Sequence, residues 1–159
     1  MSFLKRPNDF LFRALLVAAS ASLAVLCLLV IYSVVMRYVF SDAPDFVEPI
    51  ALLLVILIAM FGAALKVREG GHIGLDSLVK KLSAKGQVVA AGIQHLCLIV
   101  FAVMVFIGCL EMAMTTMEDR IPILGLPEGL RYCIPVVASV CIAMFSFEHL
   151  LALFAKKHK

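Results

Sequence analysis

Four long apolar runs separated by polar segments organise this chain: Leu15 to Val35, Phe46 to Leu65, Val88 to Leu110 and Tyr132 to Ala155. A helix needs about 20 residues to cross the ~30 Å hydrocarbon core of a bilayer, and each run meets that length. The first is uncharged, the second has Glu48 and Pro49 near its start, the third is interrupted by Gln94 and His95, and the fourth carries Glu148 and His149. A different pattern occurs between the second and third runs. There Leu75, Leu78, Val79 and Leu82 recur at i, i+3, i+4 and i+7, while Asp76, Ser77, Lys80 and Lys81 take the opposite face. That spacing predicts an amphipathic helix over about residues 74–84, lying on the membrane surface instead of crossing it, with Gly70-Gly71 as the turn leading into it. Between the third and fourth runs, Ile121 to Gly129 is apolar yet broken by Pro122, Gly125, Pro127 and Gly129. A segment of that kind either dips into the interface or meets another protein. No internal repeat is visible, so an inverted-repeat transport core is unsupported.

Composition makes the membrane assignment firm. Of 159 residues, 64% are hydrophobic and 16% charged, against roughly 45–50% and 25% in an ordinary globular domain. A soluble domain of this size hides only about 70% of its unfolded surface, which is too little to cover so much apolar side chain. A soluble enzyme, a nucleic-acid binder and a disordered chain are excluded. The opening Lys5-Arg6 and the apolar run after them resemble a signal peptide, whose core spans only ~7–15 residues. This run continues through Leu28 to Ile31 and is expected to be a retained helix.

The net charge of +3 matters less than its distribution. Eleven of the 14 basic residues lie on the N-terminal segment, the second connection and the C-terminal tail. The remaining three, Arg37, Arg120 and Arg131, lie on the first and third connections, where Asp42, Asp45, Glu48, Glu118, Asp119 and Glu128 also gather. Basic loops stay in the cytoplasm, so both termini and the surface helix are expected inside. With no Trp, interface anchoring falls to Tyr32, Tyr38, Tyr132 and several Phe. The five cysteines are scattered, form no C-x-x-C pair, and read as small hydrophobes.

The first external turn reads Arg37-Tyr-Val-Phe40 and then Ser41-Asp-Ala-Pro-Asp45-Phe-Val-Glu48. Helix two ends in Phe61-Gly-Ala-Ala64, followed by Val67-Arg-Glu-Gly-Gly-His72-Ile-Gly-Leu-Asp76-Ser-Leu78. This arrangement resembles the small, DctQ-like membrane subunit of tripartite ATP-independent periplasmic (TRAP) transporters. That family shows an R-Y-V-F-type end to helix one, a W-x-E-E start to helix two, and a G-A-A…R-x-x-x-H-I-x-V-D-x-L exit from it. The likeness extends over the whole chain in helix number, length and orientation, and its specific part is Arg37 to Leu78. Two positions depart: Phe46 stands for the usual Trp, and Pro49 for the second Glu, so a role that needs paired carboxylates is not implied here.

The resemblance implies an all-α integral membrane subunit of four transmembrane helices in a bacterial inner membrane. It implies a large multi-spanning permease partner holding the substrate and sodium sites, and a periplasmic substrate-binding protein that delivers an organic acid such as a C4-dicarboxylate or sialic acid. The small subunit would be non-catalytic, need no cofactor of its own, and brace the large subunit's scaffold.

Arg37, Glu48, Arg68, His72 and Asp76 are candidates for a partner or lipid interface, each with a structural alternative. Arg37 suits a helix C-terminus and can snorkel. Asp45 and Glu48 are spaced as a capping box. Arg68, His72 and Asp76 sit where headgroups or solvent would serve as well as a subunit. His95 and Glu148 lie at similar depth on the inner side, with His149 beside them. Three readings are open there: haem ligation by a histidine pair, a proton relay, or a polar contact between helices, of which the contact is expected. The competing functional class is a self-sufficient four-helix exporter of cations. It would need a carboxylate near mid-membrane, whereas Glu111 and Glu148 lie toward helix ends.

Overall fold

The computed structural model describes residues 2–42, 44–70, 84–121 and 123–157. They form α1 (Ser2–Val39), α2 (Val47–Arg68), α3 (Ala84–Thr115) and α4 (Leu130–Lys157). All four are long and apolar enough to cross a membrane, and each is unbroken along its span. The amphipathic segment expected at residues 74–84 falls, except for Ala84, outside the described residues.

The helices outrun the apolar runs that predict them. At 38 residues, α1 is about 57 Å long at 1.5 Å per residue, nearly twice the hydrocarbon core. Polar residues such as Asn8, Asp9 and Arg13 end an apolar run but do not end a helix. The start of α2 also differs from the expected capping box. The residue before the helix is Phe46, in right-handed helical conformation and with no side-chain cap. The turn is closed by backbone instead, Val47 N donating to the Pro44 carbonyl at 3.3 Å. Pro49 costs nothing there, since the first four N–H groups of a helix have no partner inside it.

In space the order is α1, α2, α4, α3: α1 packs along α2, α2 along α4, and α4 along α3, while α1 reaches α4 only over a short stretch. The packing stripe of α1 is Asn8, Leu11, Phe12, Leu15, Ala19 and Ser22, at the 3–4-residue spacing of one helix face. Around α4 the buried positions are Ala138, Ser139, Cys141, Ile142, Phe145 and Ser146. Four of these six are small, which lets neighbouring backbones approach closely where apolar burial gives no drive between helices. Ala102 of α3 and Ala64 of α2 serve the same purpose against Phe145 and Ile142 in one core. Outward, the chain is apolar: Val17, Leu28, Ile31, Val89, Ile93, Met104 and Ile107 all stand exposed. Lipid or a membrane partner must cover them.

The connection between α3 and α4 is tightly tied. Ile121 N donates to the Leu126 carbonyl at 2.8 Å, Glu128 N to that of Asp119 at 2.8 Å, and Gly129 N to that of Thr116 at 3.2 Å. Gly129 is required by close approach, because a Cβ there would stand 2.6 Å from the Ala113 carbonyl oxygen.

Candidate functional site

Polar side chains from all four helices gather at the end of the assembly where α1 begins and α2 ends. Arg68, in the last turn of α2, is the centre. Its Nη1 donates to Glu148 Oε2 of α4, and its Nη2 donates to Asp9 Oδ1 of α1 at 2.6 Å. The same Glu148 oxygen accepts from Asn8 Nδ2 at 2.5 Å. The guanidinium also lies 5.6 Å from the Phe145 ring centroid, in cation–π range. The forked guanidinium reaches the two carboxylates from separate nitrogens while lying over the aromatic ring, so Lys is not an equivalent replacement for Arg68.

Burial sets the weight of each contact. The Arg68 and Glu148 side chains are 17% and 16% exposed, whereas Asp9 is 63% exposed. The Arg68–Glu148 pair is therefore largely desolvated, held by charge-assisted hydrogen bonds, and the Asp9 arm is a solvated extension. Asn8 is 1% exposed and supplies a neutral donor to the shared carboxylate.

The histidines form an adjoining layer. His149 Nε2 lies 3.1 Å from the Arg68 carbonyl oxygen, and since a carbonyl only accepts, Nε2 carries the proton. The His149 ring stacks on that of His95 from α3, centroids 5.1 Å apart and planes 10° from parallel. The geometry thus ties α1, α2 and α4 by ionic hydrogen bonds and brings α3 in by ring stacking. Among the described residues no group of three or more His, Cys, Asp or Glu could hold a metal ion.

The residues singled out in the sequence separate accordingly. Arg68 and Glu148 come together, and His95 stacks on His149. Arg37, in the last turn of α1, and Glu48, in the first turn of α2, are exposed at the opposite end and make no ion pair among the described residues. Nearby there, Tyr32 and Phe46 stack with centroids 6.4 Å apart. His72 and Asp76 lie outside the described residues. Sequence reasoning missed Asn8, Asp9 and Phe145. The available signal was Asn8 at the head of the stripe Asn8, Leu11, Phe12, Leu15: a polar residue on a packing face needs a partner.

Two grooves between helices are apolar. One of about 320 Å³ lies between α2 and α4, lined by Leu53, Leu57, Phe61, Cys133 and Val137 among others. Another of about 260 Å³ lies between α3 and α4, where Ser139 is the one polar side chain. Neither offers a cation to an organic acid.

The family pattern of the tripartite ATP-independent periplasmic transporters, DctQ component, matches residues 26–156. A protein of Haemophilus influenzae assigned as a TRAP transporter small permease is 29% identical over 143 residues, covering 90% of this chain and 89% of that one.

Proposed function

From the premise that this chain belongs to the DctQ component family of TRAP transporters, we propose that it is the non-catalytic small subunit that braces a large, multi-spanning permease subunit. The observation that carries this reading is the form of the four spans: unbroken helices, apolar grooves, and, among the described residues, ion pairs confined to the helix ends. In many secondary carriers the transport site is built from helices interrupted at mid-depth, where freed backbone groups and half-helix ends hold ions and substrate. This chain has no such break among its described residues, and its clasp joins helices to each other. Organic-acid binding and sodium coupling then belong to the large subunit, and a periplasmic binding protein brings the substrate. The chain needs no cofactor for this work.

In this reading the clasp end is cytoplasmic, in a bacterial inner membrane with both termini inside, and the bias of Lys and Arg toward that side supports it. Single cysteines placed at Ser41 and Glu118, in a chain cleared of native cysteines, should react with impermeant maleimide added to intact cells. One at Ser83 should react only after lysis, and the reverse pattern would overturn the orientation. A tagged copy of the full chain, co-expressed with the large subunit, should retain it through affinity purification and size exclusion. Separation of the two at every detergent concentration that keeps both folded would contradict the bracing role.

A further inference from the structure

The groove between α2 and α4 has a charged pair at its head that neither the clasp nor the bracing role uses. Its walls come from Leu53, Leu57 and Phe61 of α2 and from Leu130, Ile134 and Val137 of α4. At 1.5 Å per residue, Leu53 lies about 9 Å and Phe61 about 21 Å along α2 from Val47. The groove therefore descends from that end through about one leaflet of a ~30 Å hydrocarbon core. Arg131 does not line it but stands one helical turn before Ile134, which does. Helical side chains lean toward the N-terminus of their helix, so Arg131 is carried toward the headgroup level.

The pair at the head is poorly satisfied. Arg131 Nη1 donates to Glu128 Oε1 at 3.3 Å, long for a charge-assisted bond, which runs ~2.7–2.9 Å. A guanidinium has five N–H donors, and Arg131 Nε is buried with no acceptor among the described residues. The Arg131 and Glu128 side chains are only 28% and 34% exposed, so water compensates them in part. A phosphate would supply the acceptor that the guanidinium lacks, and the Glu128 carboxylate could accept from an N–H cation.

Charge and shape select the occupant. Around this connection Glu118, Asp119 and Glu128 stand with two cations, Arg131 and Arg120, and Arg120 is turned to the Gly125 carbonyl at 2.9 Å. Three acids against two cations disfavour a headgroup of net negative charge and suit one that carries both signs. Apart from Cys133, the groove walls are branched or aromatic, without the Gly, Ala or Ser that lets a second helix approach closely. A single hydrocarbon chain can follow such walls.

We propose that this groove holds one acyl chain of a phospholipid whose headgroup carries a primary ammonium, as in phosphatidylethanolamine. The phosphate rests on Arg131 and the ammonium on Glu128. A choline headgroup has no N–H to donate there, which makes the site selective. The inference rests on the spans crossing a bilayer and not on the transporter role.

The test titrates the full chain, stripped of lipid in a mild detergent, with dioleoyl phosphatidylethanolamine, phosphatidylcholine or phosphatidylglycerol, and reads bound lipid by native mass spectrometry. The first phosphatidylethanolamine should bind about fivefold more tightly than either of the others, the effect of one added hydrogen bond. Glu128→Gln should bring it down to the level of phosphatidylcholine, and Arg131→Gln should weaken both. Val137→Trp fills the groove and leaves the charged pair in place, and it should weaken the first phosphatidylethanolamine by about fivefold or more through loss of the buried chain. Glycerophosphoethanolamine, the same headgroup without tails, should not compete. Equal first binding of all three lipids to wild type would overturn the site. So would a preference for phosphatidylethanolamine that survives both Glu128→Gln and Val137→Trp. A preference for phosphatidylglycerol would also overturn it and move the contact to the Lys-rich end of the chain. Because the chain is tested alone, none of these results depends on whether it retains a large subunit.

Discussion

Arg68→Met should destabilise the folded chain by about 3 kcal/mol, the low end of what breaking a buried ion pair costs. The loss is large because the partner is stranded. Glu148 is 16% exposed and, without the guanidinium, keeps only Asn8 as a donor among the described residues. Glu148→Gln should cost much less, since a neutral amide at that place can still accept from both donors and Arg68 retains Asp9 at 2.6 Å. Glu148→Leu should fall between them: Arg68 loses its buried partner but can lean toward Asp9 and water. Asp9→Asn should shift stability by no more than about 1 kcal/mol, as expected for a solvated ion pair. The informative variant is the double replacement Arg68→Met, Glu148→Leu. It strands neither charge in the interior and should be more stable than Arg68→Met alone, giving a coupling energy of about 1–3 kcal/mol in the cycle. Thermal unfolding of the purified chain in a fixed detergent reads all five. An Arg68→Met protein as stable as wild type would show that the clasp does not hold the helices together.

Much of this arrangement is visible in the sequence, and what is hidden has a physical cause. Length and apolarity alone locate the four spans, because a bilayer imposes one thickness on every helix. Their ends are less legible: Asn8 and Asp9 are polar yet helical, so a run that stops at Leu15 undercounts α1 by several turns. The neighbour order α1, α2, α4, α3 is not written in hydrophobicity at all. A side chain facing lipid and one facing another helix are equally apolar, and only the small residues on α4, such as Ala138, Ser139 and Ser146, mark its packed face. The capping box drawn from Asp45 and Glu48 fails because Pro44 and Phe46 close that turn through the backbone, leaving Glu48 in the first helical turn and exposed.

The clasp was half legible. A carboxylate toward the end of a span must find a partner, so Glu148 was expected to bond a basic residue or His95. Which one depends on contacts 80 and 140 residues away in the chain, to Arg68 and Asn8. Equal depth pointed from Glu148 to His95. In the fold His95 instead meets the neighbouring residue on α4, His149, because one step along a helix turns the side chain by about 100° and so onto a different neighbour. Arg13, also at the correct end, is exposed on α1. Arg68 lies in the stretch through which the chain resembles its family, yet its tie to Glu148 is a property of the folded helices and not of that motif.

The central claim is that this chain supports transport without performing it. The direct measurement is uptake of radiolabelled organic acid into proteoliposomes under an inward sodium gradient, with the substrate-binding protein outside. Vesicles holding this chain alone should take up no more than empty vesicles, because its spans have no break at mid-depth and its grooves between α2, α3 and α4 are apolar. Vesicles holding this chain with the large permease subunit should accumulate the acid, and collapse of the sodium gradient should stop them. Sodium-driven uptake by this chain alone, at a rate near that of the pair, would contradict the account.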